Sequence, residues 1–266
     1  MTLCTRTHLT AIGSGKGGTG KTIVSTNLAL ALSEEGERVL LFDADMGLAN
    51  IAVQIGVDDC GDMEAVLLSG DIAQDSVKSV RGGVRVRGGF DLLAPPVGSS
   101  VFADIGASTA QRLIDALRAT RCYDRVILDL AAGVDDVTMT FAASADETLL
   151  VITPDPAALT DAYAFVKLIL RRGGPVPASV VNMAASDAEA RRVADSLART
   201  CRAFLKRAPD CAGRVPRDGR VVDAVRRQEA LLSLYPQSPA ARALTEIARG
   251  LHRQARPALT LGSRVR

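Results

Sequence analysis

The chain has little of what would mark it as anything but a packed globular protein. Prolines number only 11 in 266 residues, and 47% of the side chains are hydrophobic against 23% charged. That composition excludes a disordered, collagen-like or low-complexity chain. Net charge is nearly missing: 32 basic residues against 30 acidic ones leave +2, which excludes a strongly basic nucleic-acid coat and an acidic tail. The five cysteines, Cys4, Cys60, Cys122, Cys201 and Cys211, form no CxxC pair and no even disulfide framework. They read as buried or incidental thiols of a reducing compartment. No apolar run approaches the roughly 18 residues of a membrane-spanning helix. The N-terminus, MTLCTRTHLTAIGSGKGG, runs straight from its apolar stretch into glycines and lysine, unlike a signal peptide. His8 and His252 have no metal-ligand companion at useful spacing, and His252 is expected on the exposed side of the last helix. These absences point to a soluble cytoplasmic protein.

Strand-like apolar runs alternate with amphipathic stretches along the whole chain. Strands are expected at His8–Gly13, Arg38–Phe42, Phe90–Leu93, Arg125–Leu130, Thr148–Thr153 and Ser179–Met183, with a short one at Gly213–Val215. Several are continuous in Val, Leu and Ile, as strands covered on both faces of a parallel sheet are. Helices are expected at Lys21–Glu35, Ser108–Arg121, Val137–Ala145, Ala158–Arg171, Asp187–Leu205, Gly219–Leu232 and Pro239–Gln254. In the last, Leu244, Ile247, Ala248 and Leu251 share one face. Such alternation implies an α/β fold, a mostly parallel sheet with helices on both faces and right-handed crossovers. No stretch rich in Pro, Gly or Ser divides the chain, so residues 1–254 are expected to form one domain, with 255–266 as a short tail. Arg81–Gly89 (RGGVRVRGG) reads as a compact glycine-bracketed turn or hairpin.

The segment Gly15-Lys16-Gly17-Gly18-Thr19-Gly20-Lys21-Thr22 fits GxxxxGKT, between a predicted strand and a predicted helix. Glycines let the backbone curl so that successive N–H groups point at phosphate oxygens, and the helix N-terminus adds partial positive charge. Lys21 would neutralise the β- and γ-phosphates, and the Thr22 hydroxyl would ligate Mg²⁺. Five of the 32 basic residues are lysines, and two of those five sit in this loop. Where the rest of the chain takes arginine for charge, lysine here looks chosen for chemistry. Downstream, the second strand ends in Asp43-Ala44-Asp45. Carboxylates at i and i+2 of an extended segment share a face, and the C-terminal end of a parallel strand beside such a loop looks into the ligand crevice. The fourth strand, Val126-Ile127-Leu128-Asp129, makes a Walker B pattern in which Asp129 would hold Mg²⁺, through a water.

A second lysine inside the loop, Lys16, has no part in an ordinary phosphate-binding loop. The sequence KGGTGKT resembles the deviant Walker A motif of the MinD/ParA group, in which this lysine reaches across a dimer to the partner's nucleotide, a charge in trans like an arginine finger. The resemblance implies a P-loop NTPase fold, ATP or ADP and Mg²⁺ as ligands, and slow hydrolysis in an ATP-dependent homodimer. It assigns Asp45 the orientation of the attacking water, with Asp43 in support. It assigns adenine to Asn182 and to the loop holding Pro216 and Arg217. Leu130 departs from the small hydroxyl or polar residue usual after the Walker B aspartate.

Within the group, DADMGLANI and the stretches around Thr153–Tyr163, Cys201–Leu205 and Leu234–Ala240 are similar to FlhG, over about residues 8 to 254. That implies control of flagellar number and placement through protein partners of the flagellar or cell-pole machinery. Seven residues precede the first strand, so the N-terminal helix with which FlhG proteins stimulate the GTPase FlhF is not expected. The tail ALTLGSRVR has a weak apolar face, and its arginines add attraction to anionic lipid. Weak or partner-assisted contact with the inner face of the membrane at the pole is the expectation, and nucleic acid is not expected as a partner. The alternatives are a MinD-type positioning ATPase of the division site or a polar organelle, and a ParA-like DNA-partitioning ATPase. A metabolic enzyme of the same fold is the rival from another class.

Overall fold

A computed structural model describes residues 6–47, 49–58, 60–70, 72, 77–81, 89–96 and 105–255. Cys4, residues 82–88 of the turn or hairpin expected at Arg81–Gly89, and residues from 256 onward in the expected tail lie outside the described residues. In chain order the elements are β1 (His8–Ser14), α1 (Lys21–Glu34), β2 (Val39–Ala44), α2 (Ile51–Ile55), α3 (Met63–Ser69), β3 (Lys78–Arg81), β4 (Gly89–Leu93), α4 (Ala107–Ala119), β5 (Arg125–Ala132) and α5 (Asp136–Ser144). They continue as β6 (Glu147–Ile152), α6 (Pro156–Arg171), β7 (Ala178–Ala184), α7 (Asp187–Leu205), β8 (Cys211–Pro216), α8 (Gly219–Arg226), α9 (Leu231–Leu234) and α10 (Pro239–Ala255).

The strands form one eight-stranded sheet in the order β3-β4-β2-β5-β1-β6-β7-β8. Every pairing is parallel except that of the edge strand β3 with β4. The continuous aliphatic runs are read correctly: all six residues of β2 are buried, because side chains of alternating direction enter two separate cores. One core, with Phe42, Leu128, Phe141, Phe165 and Leu197, is closed by α3 to α7. The other, with Ile12, Leu28, Leu41, Ile127 and Leu244, is closed by α1, α2 and α8 to α10. Residues 24–32 of α1 are buried all round, as a helix held between a sheet and outer helices must be.

The structure differs from the expected elements as follows: short helices α2 and α3 are added between β2 and β3. Strand β3 is absent from the expected set, since Lys78-Ser79-Val80-Arg81 has no apolar run and pairs along one side of its length. The helix expected over Gly219–Leu232 breaks into α8 and α9, because Gln228 adopts φ +54° and the Leu232 N–H bonds the buried Asn27 Oδ1 at 2.9 Å. His252 does not face solvent: its Nδ1 lies 2.7 Å from Glu37 Oε1 with 17% of the side chain exposed.

Candidate functional site

Strand β1 runs between β5 and β6, and the chain leaves β1 and β5 toward opposite faces of the sheet. Crevices outside the carboxyl ends of parallel strands open at such switch points. The loop 15–20 fills this one. Ser14 Oγ donates to Lys16 O at 2.6 Å, and Asn182 Nδ2, from β7, donates to Thr19 O at 2.8 Å. Gly15 is obligatory on space: an added Cβ would stand 2.4 Å from the backbone of Asp161 in α6. Gly20 is obligatory on both counts, with φ +86° and Asn182 Nδ2 2.4 Å from the Cβ position.

Helix α1 then starts on Gly20 with no side-chain cap and no acidic residue in its first turn. The contrast with its neighbours is physical. Asp135, Asp155, Ser186 and Asp218 cap α5, α6, α7 and α8 with side-chain oxygens. At α1 the orphan N–H groups and the positive end of the helix dipole are left for another acceptor.

That helix start opens into a cavity of roughly 550 Å³ lined by Gly17, Gly18, Gly20, Lys21, Thr22, Asp45 and Asp129, with Val53 and Val225 among its apolar wall. The electrostatics are severe. Asp43 and Asp129 stand directly opposite each other in the β2–β5 register, and both are buried. Burial first, and then the facing Asp129, push the Asp43 carboxyl well above the usual carboxylate range. Burial likewise raises Asp129, against the pull of the Thr22 hydroxyl and the Lys21 charge. Burial lowers Lys21 while Asp129 and Asp45 hold it up. Asp129 Oδ1 is buried without a hydrogen-bond partner, a costly condition that a bound cation would relieve. Among the described residues no three His, Cys, Asp or Glu side chains form a complete metal cage. One carboxylate and one hydroxyl are the partial set that Mg²⁺ takes when phosphate oxygens and water complete its octahedron.

Asp43 does not face the cavity as a free group. Its Oδ1 accepts from Asp45 N at 3.1 Å, and its Oδ2 accepts from Asn50 N at 3.1 Å and Ile51 N at 3.2 Å. It therefore fixes the segment carrying Asp45 and the start of α2. The expected site residues thus gather in part. Lys21, Thr22, Asp45, Asp129 and three loop glycines converge on the cavity, and Gly15, Thr19 and Asn182 build the loop behind it. Pro216 ends β8 and Arg217 N bonds Ala184 O, at the end of β7, at 2.9 Å; neither is among the cavity-lining residues. Lys16 turns away to Asp155. Sequence reasoning missed Asp155, whose Asp-Pro pair at a strand end signals a helix cap and nothing more.

Residues 10–232 match the model of the CobQ/CobB/MinD/ParA nucleotide binding domain. The chain is 36% identical over 242 residues to the antiactivator FleN of Pseudomonas aeruginosa, covering 90% of this chain and 84% of FleN. It is 34% identical over 163 residues to the flagellum site-determining protein YlxH of Helicobacter pylori, spanning 61% of this chain and 53% of YlxH. The solved septum site-determining protein MinD of Pyrococcus horikoshii, complexed with Mg-ADP, superposes with a TM-score of 0.74 at 25% identity over 94% of this chain and 97% of that one. With its strand–loop–helix, its two loop lysines and its two strand-end aspartates in register, the chain belongs to the MinD/ParA family of nucleotide-binding proteins.

Proposed function

We propose that this chain is a slow, Mg²⁺-dependent ATPase of the FlhG and FleN kind. It switches between monomer and ATP-bridged homodimer, and the dimer regulates flagellar number and placement through protein partners. The observation that carries the reading is the convergence of Lys21, Thr22, Asp45 and Asp129 on one cavity at the uncapped start of α1. The flagellar assignment is supported by the similarity to FleN over most of both chains; the MinD-type positioning role is the alternative that the MinD superposition supports.

In this reading the loop N–H groups of 17–20 and the Lys21 ammonium bind the phosphates, and Thr22 with Asp129 holds Mg²⁺. The metal, when bound, withdraws charge from the phosphate oxygens. Asp45, steadied through Asp43, orients water. Lys16 completes the site of the other subunit, and Asn182, Pro216 and Arg217 take the adenine. Leu130 is buried, so the position after Asp129 offers no hydroxyl for positioning the γ-phosphate, which supports slow turnover. Val53 and Val225, 50% and 40% exposed on the cavity wall, offer apolar surface to a second copy. Residues 1–254 act as one domain, cytoplasmic or peripheral to the membrane at the pole.

Light scattering with saturating ATP tests this. Asp45→Ala is expected as a stable dimer and Lys16→Ala as a monomer that still binds ATP. If wild type and Asp45→Ala both stay monomeric, the switch reading fails.

A further inference from the structure

Helix α8 ends in a Schellman motif. Gln228 N donates to Val225 O at 3.0 Å and Glu229 N to Ala224 O at 3.1 Å. The motif holds Gln228 at φ +54°, where glycine is the usual residue because a Cβ is penalised there. Helices α2 and α3 follow that rule, ending on Gly56 at φ +66° and Gly70 at φ +70°. A glutamine kept in a strained position implies a task for its side chain. Its Nε2 donates to Val53 O, in α2, at 2.8 Å. Gly56, at the end of the same helix, lies against the Gln228 backbone: an added Cβ there would stand 3.1 Å from Gln228 O.

Helix α2 has five residues, too few to hold together alone. It is held from outside at both ends. At its start Asp43 accepts from the N–H groups of Asn50 and Ile51, and the same carboxylate accepts from Asp45 N. Toward its end the Gln228 amide takes the Val53 carbonyl. The turn that carries Gln228 is itself fastened to the helix of the phosphate-binding loop, since Leu232 N bonds Asn27 Oδ1 of α1 at 2.9 Å. Contacts thus run from α1 through the α8–α9 turn to α2, and from α2 back to the segment carrying Asp45. Gln228, Val53 and Asp45 line one cavity. Ile51 and Ala52 at the start of α2 are buried, whereas Val53 and Gln228 are exposed, so the Gln228 end is the one free to loosen. We propose that Gln228 is a positioning residue for hydrolysis: its amide fixes α2, and through α2 and Asp43 the setting of Asp45 in the cavity. This rests on the reading that Asp45 orients the attacking water.

Two variants of opposite effect on the backbone test this in the full chain. Gln228→Glu keeps the length and the strain but turns an acceptor toward a carbonyl that can only accept. Gln228→Gly also loses the donor but relieves the strain, so a fall in turnover common to both follows the lost bond and not a weakened fold. ATP hydrolysis is measured at one protein concentration, with mass followed by light scattering. Both variants are expected to lose about two- to tenfold in kcat, the range of one neutral hydrogen bond. KM for ATP should stay within about twofold of wild type, since phosphate binding is not touched. In hydrogen exchange, the amides of Gln54 and Val57, which bond Asn50 O and Ala52 O, should exchange faster in both variants. Wild-type kcat in both variants overturns the proposal. A lowered kcat with unchanged exchange at Gln54 and Val57 overturns it too, because Gln228 would then act on the reacting groups directly. A lowered kcat that tracks a loss of dimer overturns it in favour of a subunit contact. If Asp45→Ala turns over like wild type, the reading of Asp45 fails and the positioning role goes with it.

Discussion

Asp129 shows at the scale of one residue how far function and stability pull apart in this chain. A carboxylate with a partnerless buried oxygen, opposite a second buried carboxylate, is poor for folding and good for receiving a cation. Its pKa is raised in the fold, so the folded state holds its proton more tightly than the unfolded one. Stability is then greatest below about pH 4 for this group and is lost as pH climbs toward neutral. Asp129→Asn removes the titration. In the nucleotide-free protein it is expected to raise stability by about 1–3 kcal/mol at pH 8 and by less at pH 5, in urea unfolding, while Mg²⁺-dependent ATP hydrolysis is lost. Equal or lower stability at pH 8 would mean that the carboxylate is already compensated. Residues of this kind were legible in the sequence because chemistry fixes their identity: a glycine, a lysine and a threonine in a row admit few substitutes. Asp43 was legible as support, though not how it works, since bonds to three backbone N–H groups leave no trace in residue type. Asp155 was not legible, because capping a helix is reason enough for aspartate there.

At the scale of elements, the loop and its two helices behave as one fitted part. Gly15 and Gly18 provide an internal comparison. A methyl group at Gly15 meets the Asp161 backbone at 2.4 Å, whereas at Gly18 nothing lies within 4 Å and φ is +75°. Gly15→Ala must push the loop off α6 and is expected to cost about 1–3 kcal/mol in urea unfolding and to weaken ATP binding at least tenfold. Gly18→Ala meets the left-handed backbone penalty alone, about 1–2 kcal/mol, with no displacement of α6. If the two variants lose ATP affinity equally, packing of the loop on α6 is not what shapes the site. The same scale explains which elements the sequence concealed. Long strands in the middle of the sheet announce themselves as aliphatic runs. The four-residue edge strand β3, the five-residue α2 and the break at Gln228 are decided by neighbours, through a pairing with β4, a carboxylate at 43 and the amide of Asn27.

Across the whole molecule the sheet has two ends with opposite tasks. At the carboxyl ends of the strands the chain leaves donors and carboxylates exposed to a cavity. At the amino ends, about 20 Å away along a seven-residue strand, it gathers charges into an internal network around Arg125, whose side chain is fully buried. That guanidinium donates to Glu37 Oε2 at 2.7 Å, to Thr10 Oγ1 at 2.6 Å and to the Leu251 carbonyl at 3.3 Å, and it pairs with Glu147. Glu37 in turn holds His252, so one network ties β1, β5 and β6 to α10. None of this was legible, because an arginine opening an aliphatic run reads as a strand boundary, and the ion partners are 88 and 22 residues away. A buried pair is strong only when whole. Arg125→Met would leave Glu37, with 5% of its side chain exposed, as a buried charge without its main partner, and is expected to cost about 3–5 kcal/mol in urea unfolding. Adding Glu37→Gln should recover part of that loss, since the stranded charge is removed with its partner. ATP affinity of the folded fraction should match wild type in both, because the loop at the far end of β1 keeps every contact it has. A large fall in ATP affinity without loss of stability would mean that the two ends of the sheet are coupled, and the division of labour between them would have to be abandoned.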